Sequence, residues 1–142
     1  MVNTNKLFHL LYQKTRLMTK ELNEFLQPFG LYSSQWAILS CLKNNGPMIQ
    51  SEIWRQLVVE APTVTRTIMK LEASGWVERS QGIDKRERVV SLTAMAINQL
   101  PIVEKEVERF EAKMIEQFNQ EELDSFYSFI TKIGLSTTER KG

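Results

Sequence analysis

Two short stretches hold the side chains best suited to recognition chemistry. Between Pro62 and Lys70, Thr63 and Thr65 stand beside Arg66, and Lys70 follows four residues on. Between Arg79 and Arg88, four basic and two acidic side chains occupy ten residues. Hydroxyls bond either phosphates or base edges and an arginine pairs with guanine, so these residue types suit recognition of nucleic acid. Reaction chemistry has no comparable set. The chain has one His and one Cys, no nucleophile with a base partner at readable spacing, and no glycine-rich phosphate loop. Turnover is not expected. One Cys with one His completes neither a tetrahedral zinc site nor an internal disulfide, and no cofactor or metal is expected.

The elements that must position these residues are helices. Leu7, Leu11, Met18, Leu22, Phe25 and Phe29 recur at steps of three, four or seven, which predicts a first helix that Pro28 and Gly30 stop. Ser33 or Ser34 is the expected cap of a second helix with Trp36, Ile38, Leu39 and Leu42, ended by Asn45-Gly46-Pro47. Gln50 to Leu57 reads as a short third helix with Ile53, Trp54 and Leu57 on one side. Pro62 suits the first turn of a fourth helix reaching Ser74, because its missing N–H costs nothing there. With Val64 at zero on a helical wheel, Ile68 falls at about 40° and Leu71 at about 340°, whereas Pro62, Thr63, Arg66 and Lys70 fall between about 160° and 260°. One face is therefore core and the opposite face polar.

Gly75 is the expected residue past the end of that helix. Trp76–Arg79 and Arg88–Leu92 are short and rich in β-branched residues, and they predict a hairpin with a charged tip. Thr93 can cap a long fifth helix whose Leu100, Val103, Val107, Phe110, Met114 and Phe118 form a seam advancing by three and four. Pro101 predicts a kink in it. Asn119 with Glu122 has the spacing of a capping box and opens a last helix, and the tail from Ser136 is expected to fray. The expected fold class is mainly α with a small β-wing, in which a winged helix-turn-helix is flanked by N- and C-terminal helices.

The chain has 142 residues and a net charge of +1, with no apolar run of the roughly 20 residues that a membrane span needs. A single cytoplasmic domain is the expectation. The small net charge conceals an asymmetry. Residues 1–102 hold 12 basic and 8 acidic side chains, a balance of +4, and the remainder hold 6 and 9, a balance of −3.

Specific motifs lie on this frame. Asp84, Arg86, Leu92 and Thr93 form a D-x-R-x-x-x-x-x-L-T pattern, and Thr63 to Arg66 read T-V-T-R. Leu71-Glu72, Gly75 and Val77-Glu78-Arg79 form an L-E-x-x-G-x-V-E-R pattern, and Gln35 to Leu39 read Q-W-A-I-L. On these residues the chain resembles the MarR (multiple antibiotic resistance regulator) family of transcription factors, most strongly over residues 31–100. The resemblance implies a homodimer of triangular outline that binds double-stranded DNA, with a DNA-binding lobe at residues 31–92 and helical dimerisation regions at 1–30 and 93–142. It implies that Thr63, Thr65, Arg66 and Lys70 face the major groove, and that Lys85, Arg86 and Arg88 of the wing meet phosphates and the minor groove. Asp84 is implied to hold the wing by pairing with nearby basic groups. The sequence departs from the family pattern at Trp54, where a small residue is usual, and at Val58, where a turn glycine is usual.

Many members of the family are repressors released by small phenolic or amphipathic ligands. The same use here would draw on His9, Tyr12, Arg16 and Trp36. Redox-sensing members carry a cysteine near the start of the first helix, where this chain has none, and Cys41 reads as a buried, inert thiol. The rival reading is a winged-helix module that binds protein instead of DNA.

Overall fold

The computed structural model describes residues 1–84 and 86–135. Lys85 and the tail from Ser136 lie outside the described residues. Contacts divide the chain into two compact units, Met1–Val107 and a second from Glu108 onward.

In the first unit, α1 (Thr4–Leu26) is capped by Asn3, whose side chain accepts the Lys6 N–H at 2.8 Å. A 3-10 turn over Gln27–Phe29 comes next, and Gly30 closes it at φ +72°. The second helix, α2 (Ser33–Asn45), starts one residue earlier than a serine cap would place it. Tyr32 takes the cap position, with its N–H donated to Gln35 Oε1 at 2.9 Å, while the Ser33 N–H goes to Asn23 Oδ1 at 2.7 Å. A glutamine reaching back three residues and an asparagine from α1 thus replace the expected serine hydroxyl. Gly46 ends α2 at φ +77°.

Two residues, Met48 and Ile49, then form β1 ahead of α3 (Gln50–Leu57) and α4 (Ala61–Ala73). Val64, Ile68 and Leu71 of α4 are buried as the helical wheel requires, joined by Thr67, whose hydroxyl bonds back to the Thr63 carbonyl at 2.9 Å. Gly75, at φ +84°, turns the chain out of α4, and the Trp76 N–H returns to the Leu71 carbonyl at 2.9 Å. β2 (Val77–Gln81) and β3 (Arg88–Leu92) pair antiparallel, from Val77 opposite Leu92 to Gln81 opposite Arg88. β1 joins the far side of β3, giving the order β1-β3-β2. The hairpin is therefore part of a three-stranded sheet anchored to the helices.

Thr93 fixes the hairpin to the helix after it. Its hydroxyl donates to the Gly75 carbonyl at 2.6 Å and accepts the Ala96 N–H at 3.2 Å, so one side chain ties the end of α4 to the start of α5 (Ala94–Met114). Ala96, Leu100, Val103 and Val107 are buried, and the helix continues through Pro101. Its end corrects one expectation. The helix stops at Met114 and residues 115–117 turn, so Phe118 is not part of the seam. Asn119 caps another helix immediately afterwards, and the chain must leave α5 to reach that cap.

The second unit carries α6 (Gln120–Lys132) behind the expected capping box. The Glu122 N–H donates to Asn119 Oδ1 at 2.8 Å and the Asn119 N–H to Glu122 Oε1 at 3.0 Å. Phe118 and Phe126 meet edge to face, with ring centres 5.7 Å apart. No helix among the described residues is long and apolar enough to cross a membrane.

Candidate nucleic-acid interface

α3, the turn over 58–60 and α4 form a helix-turn-helix, and the hairpin stands beside it as a wing. The turn is tight because Val58 adopts φ 56°, ψ 49°, the left-handed conformation that a β-branched residue rarely tolerates. Its side chain is 90% exposed, so nothing it packs against offsets the strain. The family's glycine position is thus the position whose backbone requires positive φ.

α4 presents its polar face outward. Arg66 and Lys70 are exposed, and Thr63 and Thr65 are half-buried along its first two turns. Arg66 leans along the helix, with Nη2 3.4 Å from Thr63 Oγ1. Thr65 Oγ1 donates to the Ala61 carbonyl at 3.0 Å and accepts from Gln50 Nε2 at 3.3 Å. Gln50, at the start of α3, is a residue that the motifs do not mark. Helical periodicity alone does not bring two sites fifteen residues apart into contact.

In the wing, Arg86 and Arg88 are exposed. Lys85, the third basic residue expected here, falls outside the described residues. Asp84 helps to hold the tip through the backbone. Among the described residues, its Oδ1 accepts the backbone N–H of Arg86 at 3.0 Å, and its carbonyl accepts the Glu87 N–H at 2.9 Å. A carboxylate two residues ahead of a backbone N–H closes a short turn. At the base of the wing, Arg79 Nη2 lies 3.0 Å from Glu72 Oε1 of α4. That link was hidden in the sequence, although both residues belong to one motif.

Trp54 is half-buried against the core, and the Arg55 guanidinium lies 5.1 Å from its ring centre. With Val58, Val59, Ala61 and Pro62 it lines a shallow cleft of about 560 Å³. Of the residues expected to hold an effector, His9, Tyr12 and Arg16 are exposed on α1, and Trp36 is half-buried in α2. Arg16 lines a cleft of about 470 Å³ with Thr15, Thr19, Lys20, Asn23 and Glu24, and the other three do not line it. Cys41 is buried, and burial pushes its thiol pKa up, which disfavours the reactive thiolate.

This geometry has counterparts among known proteins. Residues 31–87 match the pattern described as the MarR family. A relative from Bacillus subtilis strain 168, called the uncharacterized HTH-type transcriptional regulator YwoH, is 50% identical over 120 residues, spanning 84% of this chain and 88% of its own. The chain belongs to the MarR family. A solved MarR protein from Peptoclostridium difficile shares the fold, with a TM-score of 0.84 at 20% identity over 93% of this chain and 89% of its own. A neighbour solved as reduced AbfR bound to DNA is 28% identical, with a TM-score of 0.70 over 90% of this chain and 94% of its own. The protein is a winged helix-turn-helix DNA-binding transcriptional regulator, and the protein-binding rival is not favoured.

Proposed function

We propose that the chain acts as a homodimer, places two winged lobes on a pseudo-palindromic operator, and represses transcription there. The observation that carries this reading is the pairing of an outward polar face on α4 with an exposed basic wing in the same sheet-anchored lobe. Thr63, Thr65, Arg66 and Lys70 face the major groove, whose width of about 12 Å admits a helix. Arg86 enters the minor groove, where narrowness concentrates negative potential, and Lys85 and Arg88 meet phosphates.

Dimerisation is supported by exposed apolar surface. Phe126, Phe129 and Ile130 of α6 are exposed, as are Leu7, Leu10 and Met18 of α1. A second copy brings two basic lobes to one duplex, which turns a weak net charge into a placed one. A small phenolic or other amphipathic ligand is the effector class this reading favours, and Arg16, which lines an α1 cleft with Lys20 and Glu24, is the named effector residue placed at a cleft.

The test is a titration against DNA adjoining the coding region, carrying an inverted repeat with half-sites about one helical turn apart. Tight binding to that repeat, weak binding to a scrambled duplex and lower transcript yield in vitro are expected. Equal affinity for both duplexes refutes sequence-specific operator recognition. Unchanged or higher transcript yield refutes repression.

A further inference from the structure

The wing carries a polar recess behind its tip. Strand pairing sets Arg79 opposite Val90 and Gln81 opposite Arg88, on the sheet face that also holds Val77 and Leu92. Near α4 that face is core, since Val77 and Val90 are buried. Toward the tip the same face turns polar, and Glu72 of α4 reaches it. Glu72, Arg79, Ser80, Gln81 and Arg88 line a recess of about 280 Å³.

Its electrostatics suit an anion. Arg79 is held across the recess by Glu72 at 3.0 Å, and its side chain is only 26% exposed. A guanidinium has five N–H donors in a rigid fork, so one carboxylate contact leaves others to bind a second oxyanion. Arg88 makes no ion pair among the described residues, and two guanidiniums against one carboxylate leave a surplus of one positive charge.

Position decides which anion. The recess lies between α4, assigned above to the major groove, and the wing tip, assigned to the minor groove. A sugar-phosphate strand separates those two grooves, and it must cross the gap between the two elements. We propose that the recess is a phosphate seat in which Arg79 and Arg88 hold one backbone phosphate, while Glu72 fixes the direction of Arg79. This rests on the DNA-binding reading and extends it to Arg79 and Glu72. Because phosphates are the same in every sequence, the seat adds affinity and register without adding sequence preference.

The experiment is a fluorescence anisotropy titration of the operator and a scrambled duplex of equal length across a salt series. It uses the full chain, Arg79→Gln and Glu72→Gln, with thermal melting of each. Arg79→Gln is expected to weaken binding to both duplexes by a similar factor, about tenfold, and to reduce the log–log salt slope by about one. Glu72→Gln removes the charge that opposes phosphate and tightens binding to both duplexes severalfold. An unchanged salt slope in folded Arg79→Gln overturns the seat. If Arg79→Gln fails to fold, Glu72→Gln decides, and the absence of tightening overturns it. A native chain that binds neither duplex defeats the DNA-binding reading itself, whereas steep native binding with Arg79→Gln unaltered defeats the seat alone.

Discussion

Leu39, Ile53, Ile68 and Leu71 of the first unit have no measurable exposure, and Lys43 of α2 pairs with Glu104 of α5 beside that core. From Glu108 to Leu135, by contrast, no described side chain is buried, although the segment carries Ile115, Phe118, Phe126, Phe129 and Ile130. The two regions have similar apolar content, but the lobe buries much of it, whereas the second unit, like α1 with its exposed Leu7, Leu10 and Met18, does not. In the lobe, short helices and a three-stranded sheet cover one another, so its stability is its own. In the second region, a thirteen-residue helix of the length of α6 is marginal in water unless its apolar face is covered. In the proposed dimer, folding and assembly would thus be separable in the lobe and joined in α1 and the second unit.

Substitutions can break that contrast. The largest effect is expected from Phe126→Asp, which puts a charge into the proposed dimer face. Interface aromatics can carry about 4 kcal/mol or more, a thousandfold or larger change in dimer dissociation. Sedimentation should show monomers and operator binding should collapse, and a variant that remains dimeric would erase the contrast. Next comes Leu71→Ala in the closed lobe, expected to cost about 2–5 kcal/mol. Denaturant melts should show that loss at every protein concentration, because this core is intramolecular. A smaller effect is expected from Arg86→Ala. It should leave melting unchanged and weaken operator binding by about 1–3 kcal/mol, and an unaltered gel-shift midpoint would remove Arg86 from the groove.

Val58→Gly runs the other way. Glycine at φ 56° relieves the strain of a β-branched residue, and stability should rise by about 1 kcal/mol. A chemical melt that shows no gain would mean that the turn does not store that strain.

Much of this architecture was legible because it obeys periodicity. The buried stripe of α4, the hairpin and the Asn119–Glu122 box each express a local rule, and local rules survive folding unchanged. β1 was not legible, since two residues show no alternation and only their pairing with β3 makes them a strand. The end of α5 was misplaced because Phe118 continues a three-four spacing that the chain abandons at Met114. At the interface, Arg66 and Arg86 were marked by motifs, whereas the Gln50–Thr65 and Glu72–Arg79 contacts join separate elements. The contact between Asp84 and the Arg86 N–H was not legible for a related reason, because spacing does not say whether a carboxylate will meet a backbone N–H.

The proposed dimer reads one duplex with two lobes held at a fixed separation. Insertion of five base pairs between the half-sites of the operator tests this, because half a helical turn moves one half-site to the opposite side of the DNA. Affinity for the lengthened duplex is expected to fall to that of a single half-site. Equal affinity for the original and lengthened operators would contradict paired reading.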